Sequence, residues 1–199
     1  MKKFTKLIST CLSIPTENID TDQIIPARFL KLTTRKGFGE YLFYDWRFDD
    51  NGKPKNNPYF HGSIYETKKI LVASNNFGCG SSREHAVWAI QDFGFKAIIS
   101  SSYGDIFYNN ALKNGLLPVI ITPSELKKLF QVIKNQPQTK VTADLEHQYI
   151  SFNNHYFSFP INYFRKTCLL KGVDELGYIL SMEDKIKKIE NSHLIFIST

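Results

Sequence analysis

The stretch that decides the fold of this 199-residue chain runs from residue 75 to residue 85 and reads N-N-F-G-C-G-S-S-R-E-H. An apolar run, Ile70–Ala73, precedes it, and a helical pattern follows it. Gly78 and Gly80 allow the backbone a tight, exposed turn that bulkier residues would resist. Two hydroxyls and a guanidinium then arrive at the start of a helix, where N–H groups and the helix dipole favour an anion. The stretch therefore predicts a turn that holds a carboxylate or phosphate and could activate a serine.

The segment around this turn alternates apolar runs with helical patterns. We predict strands over 69–73, 97–99 and 117–121, with helices over 83–93 and 105–114 between them. Such alternation favours a parallel sheet with right-handed crossovers. Further along, the patterns predict a helix over 124–135, a hairpin of 148–152 with 156–159, a helix over 162–171, and a last helix capped by Ser181 with Asp184. The fold class predicted is a small α/β layer structure, a βαβαβ core with antiparallel additions.

Composition narrows the class of protein. The hydrophobic share of 42% fits a globular chain with a core, and we expect one domain over 1–199, with its C-terminal helix at about 182–190. The net charge of +6 comes from scattered lysines, whereas nucleic-acid binding would need a denser basic stripe. No run reaches the roughly 20 apolar residues of a membrane helix. The start of the chain predicts a first strand rather than a signal peptide, which favours a cytoplasmic protein.

Three cysteines, Cys11, Cys79 and Cys168, are widely spaced along the chain. An odd, scattered set is not typical of a disulfide framework or of a complete metal site. We therefore predict no metal ligands in this chain and a reducing compartment.

The turn itself supports several interpretations, which the residues leave open. Ser81 and Glu84 fit an S-x-x-E capping box, which would stabilise the helix by about 1 kcal/mol. A phosphate-binding loop is weakly supported, because the lysine that should follow the second glycine is absent. A thiol hydrolase would use Cys79 with His85, but no orienting acid is evident near them.

A fourth interpretation makes Ser81 a general base. Amide donors at the helix start, together with Arg83, could stabilise the serine alkoxide, which is very unfavourable in water. Ser82 and Arg83 would then hold a substrate carboxylate, because a guanidinium can bind it through two hydrogen bonds.

The same residues resemble a known family. The run at 76–86, N-F-G-C-G-S-S-R-E-H-A, resembles the signature of the aconitase swivelling domain, and most closely that of the isopropylmalate dehydratase small-subunit family. Three further blocks agree with it: N-I-D-T-D-Q-I-I-P at 18–26, G-F-G with L-F and D-W-R-F within 37–48, and D-I-F-Y-N-N with L-L-P-V within 105–119. The likeness spans nearly the whole chain.

The resemblance implies a three-layer β/β/α swivelling domain as a separate chain. It implies a hydro-lyase that interconverts 2-isopropylmalate and 3-isopropylmalate in leucine biosynthesis. It also implies a hetero-oligomer, active only with a large subunit that carries a [4Fe–4S] cluster, while this chain binds no cofactor itself. The substrate implied is a small 2-hydroxy dicarboxylate.

The resemblance also implies roles for individual residues. Ser81 becomes the general base, and Ser82 with Arg83 binds the substrate carboxylate. The loop at 30–35 matches the segment that selects the substrate's side group. There Leu30 is expected to contact an isopropyl group or simply to pack, and Lys31 or Arg35 to meet a carboxylate or remain a surface charge.

Two alternatives to this function stay open. The same architecture could serve a related hydro-lyase of the homoaconitase or methylmalate/citraconate type, and the loop at 30–35 is the discriminating feature. A non-catalytic anion-binding or regulatory module is an alternative of a different class, motivated by the basic balance and the helix-terminal anion site.

Overall fold

Two four-stranded sheets are stacked face to face, and helices cover the outer face of one of them. This computed structural model describes residues 1–31, 37–60, 67–81 and 83–197. Along β3 (Ile70–Ala73), Ile70 and Val72 pack in a cluster shared with the second sheet, whereas Leu71 and Ala73 pack in a cluster shared with the helices. This alternation follows from the two-residue period of a strand. The predicted β/β/α arrangement is therefore confirmed.

The parallel sheet has the order β2-β3-β4-β5, with β2 spanning Cys11–Ile14, β4 Ala97–Ser100 and β5 Leu117–Ile120. Nearly every residue in it is buried, because both faces of the sheet are covered. Helices α3 (Glu84–Phe93) and α4 (Asp105–Asn114) connect its last three strands. The predicted βαβαβ unit is confirmed. Pro118 lies in the edge strand β5, where a missing N–H is tolerated.

The antiparallel sheet has the order β1-β6-β7-β8. Its strands are β1 (Lys6–Ser9), β6 (Val141–Asp144), β7 (Tyr149–Phe152) and β8 (His155–Ser158). The predicted hairpin is confirmed as β7–β8, with Asn153 in the left-handed conformation at φ 47°. The patterns gave no strand at β6, because its four residues, V-T-A-D, alternate but are too few to give a strong signal.

The expected first strand is in fact two strands in two different sheets. Strand β1 pairs antiparallel with β6, and β2 pairs parallel with β3. The Ser9 hydroxyl donates to the Thr10 carbonyl and accepts the Lys69 N–H, at 2.8 Å and 3.0 Å. These bonds fix the point where the chain passes from one layer to the other.

Helix α5 (Pro123–Asn135) packs on the cluster between the two sheets through Leu126, Leu129 and Ile133. Helices α6 (Tyr163–Lys171), α7 (Glu175–Leu180) and α8 (Glu183–Ile197) end the described chain. The predicted cap of the last helix is wrong, because Ser181 ends α7 and its hydroxyl donates to the Tyr178 carbonyl at 2.6 Å. Helix α7 was not predicted, and α8 is longer than the predicted 182–190.

The segment between β2 and β3 forms short elements that rest on the helix layer. They are α1 (Thr21–Ile24), α2 (Tyr44–Arg47) and single 3-10 turns over Ala27–Phe29 and Phe38–Tyr41. In the part of the chain that the structure describes, no helix combines the length and apolarity needed to cross a membrane.

Candidate active site

The turn between β3 and α3, residues 76–81, is called the serine turn below. Gly78 has φ 72°, and a Cβ placed there would lie 2.2 Å from Cγ of Phe107. Gly80 has φ 88°. On the other side, a Cβ at Gly104 would lie 2.6 Å from the Gly78 carbonyl oxygen. Gly78 and Gly104 therefore permit a backbone approach that no other residue allows, which brings the start of α4 against the serine turn.

The first half of the serine turn is fixed by hydrogen bonds to the loop after β4. The Asn76 N–H donates to Ser102 Oγ at 2.7 Å, and the Phe77 N–H donates to the Ser102 carbonyl at 3.1 Å. The Gly104 N–H donates back to the Phe77 carbonyl at 3.0 Å. The Asn76 side-chain amide donates to Asn18 Oδ1 at 2.8 Å. The turn is thus held between two neighbouring loops.

The segment 20–22, called the D-T-D segment below, holds the second half of the serine turn. The Thr21 N–H donates to the Cys79 carbonyl at 2.9 Å, and the Thr21 hydroxyl donates to the Ser81 carbonyl at 3.0 Å. Thr21 is only 2% exposed. Asp20 caps α1 in a capping box with Gln23, which fixes the helix that carries Thr21. A buried threonine therefore fixes the backbone on both sides of Gly80.

Ser81 itself is exposed. Its hydroxyl forms no hydrogen bond with any residue that the structure describes, so the geometry leaves it available to a ligand. Helix α3 begins at Glu84, and the side chain of its N-cap residue, Arg83, forms no capping hydrogen bond with the described residues. N–H groups of its first turn are therefore open to an anion.

The predicted capping box of Ser81 with Glu84 is wrong. Glu84 Oε1 instead accepts hydrogen bonds from Trp88 Nε1 at 3.2 Å and from Asn114 Nδ2 at 2.9 Å. Because the helix starts three residues after Ser81, Glu84 is its first residue and is directed to α4. Ser81 therefore does not act as the N-cap of α3.

Arg83 is held against the D-T-D segment. Its Nη1 forms an ion pair with Asp22 Oδ1, although this buried nitrogen lacks the alignment of a regular hydrogen bond. The Arg83 side chain is 15% exposed and that of Asp22 is 54% exposed. The contact with Arg83 is the main cause that lowers the pKa of Asp22, and the Ala27 N–H, which donates to Asp22 at 3.0 Å, adds to it. Ser82 lies outside the described residues.

Cys79 and His85 do not form a nucleophile and base pair. Burial, and secondarily the charge of Asp20, raises the pKa of the Cys79 thiol. The His85 ring packs against Phe38 and Trp88, with ring centroids 5.4 Å and 4.7 Å apart. A thiol hydrolase is therefore not supported, because the thiolate is disfavoured and the imidazole is held in an aromatic cluster.

The loop predicted to select the substrate is described only at its ends. Leu30 is half-buried against the core cluster, and Lys31 is exposed. Arg35 lies outside the described residues. At the far end, the N–H groups of Gly37 and Gly39 both donate to Asp92 Oδ2 at 2.9 Å. Asp92 belongs to α3, so this end of the loop is fixed to the helix that follows the serine turn.

Sequence reasoning missed two residues that position this site. Thr21 and Asp22 carried the family likeness but were given no role. The sequence did contain a signal for these two roles, because the D-T-D segment places a helix-capping acid, a hydroxyl and a second acid at three successive positions.

The three cysteines of this chain do not fit an iron–sulfur cluster. Cys11 lies in β2, Cys79 in the serine turn and Cys168 in α6. Burial raises the pKa of each thiol, whereas a cluster needs thiolates. No three His, Cys, Asp or Glu side chains within the described ranges are grouped to hold a metal ion.

Comparison with known proteins gives consistent matches. The family model of the Aconitase C-terminal domain matches residues 1–124. A 3-isopropylmalate dehydratase small subunit from Cytophaga hutchinsonii is 48% identical over 199 residues, covering 96% of each chain. One from Christiangramia forsetii is 50% identical and covers 96% of this chain and 93% of its own. The crystal structure of a 3-isopropylmalate dehydratase from Methanocaldococcus jannaschii superposes with a TM-score of 0.63 at 26% identity, covering 94% of this chain and 99% of that one.

Proposed function

The chain belongs to the small-subunit family of 3-isopropylmalate dehydratases, and we propose that its serine turn supplies the proton-transferring half of that enzyme's active site. The chain is the small subunit of an aconitase-family hydro-lyase of leucine biosynthesis. Residues 1–199 act as one swivelling-type domain. The observation that carries the proposal is an exposed Ser81 hydroxyl on a backbone fixed from both sides, three residues before a helix whose N-cap residue forms no side-chain capping hydrogen bond.

Ser81 is the general base of the reaction. In the dehydration direction its alkoxide takes the proton from the carbon next to the one that carries the hydroxyl. The electron pair of the broken C–H bond forms the double bond, and the C–O bond of the neighbouring carbon breaks with its electron pair on oxygen. A proton from solvent converts the departing hydroxide to water, and Ser81 returns its proton to solvent, which restores the alkoxide. Amide N–H groups at the start of α3 and the charge of Arg83 stabilise the alkoxide, as oxyanion donors do. Rehydration reverses the proton transfer.

Arg83 and Ser82 hold a carboxylate of the substrate. Asp22 anchors one nitrogen of the Arg83 guanidinium, which limits its rotation. A pre-positioned guanidinium orients a carboxylate better than a mobile one, because less entropy is lost on binding. Leu30, at the described end of the selecting loop, contacts the apolar side group, while Lys31 or Arg35 meets the second carboxylate.

The partner is the large subunit of the dehydratase, as expected for a small subunit of a two-subunit enzyme. We place the [4Fe–4S] cluster there, since the thiols of this chain do not fit one. The exposed serine turn is the part of this chain that meets the substrate bound on the large subunit.

The experiment compares Ser81→Ala with the wild type, each assembled with the large subunit. Turnover of 3-isopropylmalate should fall by at least about a thousandfold, because the general base is lost. The subunits should still co-elute, because the exposed hydroxyl has no packing role. Ser158→Ala, an exposed serine in β8, is the matched control and should keep full turnover. Near-normal turnover of Ser81→Ala would remove Ser81 as the base. Homoaconitate and citramalate serve as competing substrates in the same assay, and a preference for either would reassign the substrate.

A further inference from the structure

A cleft of about 820 Å³ lies at the edge of the parallel sheet between β2 and α5. Strand β2 is the edge strand of that sheet, and α5 lies against it. Neither Ser81 nor Arg83 lines the cleft. Its volume lies within the range of about 300 to 1,000 Å³ that is typical of small-molecule sites. We refer to it as the β2–α5 cleft.

One wall of the β2–α5 cleft is apolar. Leu126, Phe130 and Ile133 of α5 line it, and Leu12 and Pro15 face it from the β2 side. The spacing of four and three residues places the three α5 side chains on one face of the helix. This wall would accept the apolar body of a ligand.

The polar lining of the cleft is mainly cationic. Three lysines, Lys68, Lys127 and Lys134, contribute to it, against one acid, Glu17. Lys127 and Lys134 are seven residues apart on α5, so they share a face and lie about 10 Å apart along the helix axis. Within the described part of the chain, none of the three amines forms a hydrogen bond or an ion pair. The lining therefore has an excess of positive charge, and its three lysine amines form no ion pair with the described residues.

Lys68 is the most buried of the three amines. It is half-buried, whereas Lys127 and Lys134 are exposed. Burial is the main cause that lowers the pKa of Lys68. A partly desolvated ammonium gains more from a bound anion than an exposed one does, because water compensates it less.

We propose that the β2–α5 cleft binds one small amphipathic carboxylate, with its apolar body on the Leu126 and Phe130 wall and its carboxylate paired with Lys68. The proposal goes beyond the proposed function and does not depend on it, since the two sites share no catalytic residue. Lys127 and Lys134, on α5 itself, add attraction for the same anion.

The test titrates the full-length chain with octanoate, followed by amide chemical shifts. We expect saturable shifts at residues lining the cleft and a Kd below about 1 mM. Lys68→Gln should weaken binding at least about tenfold, the loss expected for one charged partner. Lys128→Gln is the matched control, because Lys128 lies on α5 outside the cleft with its Nζ 6.0 Å from the Phe157 ring centroid. It should bind octanoate as the wild type does.

Octylamine carries the same apolar body with the opposite charge and should not bind. Phe130→Ala should also weaken octanoate binding, since it removes part of the apolar wall. Three outcomes would overturn the proposal: no saturable shift with octanoate, equal binding of octylamine, or equal losses in Lys68→Gln and Lys128→Gln. Ser81→Ala should bind octanoate normally, so that failure of the catalytic proposal and failure of this one remain distinguishable.

Discussion

The hydroxyl of Thr21 donates a 3.0 Å hydrogen bond to the carbonyl oxygen of Ser81, across 60 positions of sequence. The donor is 2% exposed, whereas Ser81 is an exposed residue. The bond therefore fixes the backbone of the proposed base from the protein side and leaves the hydroxyl accessible. Pre-positioning of this kind is what proton transfer at a fixed distance requires.

Removing that bond should both slow turnover and destabilise the fold. We expect Thr21→Val to lower kcat about tenfold or more and the free energy of unfolding by about 1 to 2 kcal/mol, because the Ser81 carbonyl loses its donor. Steady-state kinetics of the assembled enzyme and urea unfolding of the chain measure the two effects. Thr167→Val, which removes a 2.9 Å hydroxyl–carbonyl bond within α6, is the control and should leave kcat unchanged. An unchanged kcat in Thr21→Val would contradict a positioning role.

Asp22→Asn should weaken the anchoring of Arg83 in a pH-dependent way. The pKa of Asp22 is lowered in the folded chain, so its ionised form stabilises the fold above the unfolded pKa of about 3.9, and this contribution is lost as pH falls through the lower folded value. Because Asp22 is 54% exposed, we expect only about 0.5 kcal/mol at neutral pH. Urea unfolding of wild type and Asp22→Asn should differ at pH 7, and the difference should narrow as pH falls below about 3.9. A gap that stays constant with pH would contradict the pairing.

Arg83→Lys should raise KM for isopropylmalate roughly tenfold or more, because an ammonium cannot replace the two-pronged guanidinium contact. The readout is the split between KM and kcat in the assembled enzyme. Arg165→Lys changes another ion-paired arginine, the partner of Glu175, and should leave KM unchanged. If Arg83→Lys leaves KM unchanged, Arg83 does not bind the substrate carboxylate.

Gly78→Ala should disrupt the serine turn. Its φ of 72° disfavours alanine, and the added Cβ would lie 2.2 Å from Phe107 Cγ, so we expect a loss of about 3 kcal/mol or more in unfolding free energy. Gly52 has nearly the same φ, 73°, but its Cβ would meet only Tyr44 Oη at 3.5 Å. Gly52→Ala should therefore cost only about 1 kcal/mol. Equal losses in thermal or urea unfolding would show that the contact with Phe107 does not matter.

Cys79→Ala should retain turnover to within about threefold, because burial and the charge of Asp20 disfavour the thiolate and the His85 ring packs against Trp88. Alkylation of Cys79 by iodoacetamide at neutral pH should be slower than that of a small-molecule thiol such as glutathione. Loss of turnover in Cys79→Ala, together with rapid alkylation, would revive the thiol mechanism.

The periodicity of the sequence predicted the elements whose stabilisation is local. The βαβαβ unit, the hairpin and the stop at Gly115 follow from patterns of four to fourteen residues, and the structure confirms them. It also revealed what those patterns missed. Strand β6 exists because β1 and β7 pair with it on both sides, and four residues carry no strong signal of their own. The spacing of Ser181 and Asp184 predicted an N-cap of the last helix, but Ser181 is the C-cap of the preceding helix, α7.

The sequence by itself determined the serine turn, its glycines and the chemical types that meet there, because backbone freedom, hydroxyl and guanidinium are properties of the residues. Only the tertiary structure decided which of these groups stay available. It directs Glu84 to Asn114, holds the Ser81 backbone with Thr21 and pairs Arg83 with Asp22. Hydrogen bonds and ion pairs between distant segments depend on how the layers of the fold pack together. Packing brings Thr21 and Ser81, which are 60 positions apart in the sequence, to hydrogen-bonding distance. The local periodicity of the sequence does not predict such a contact.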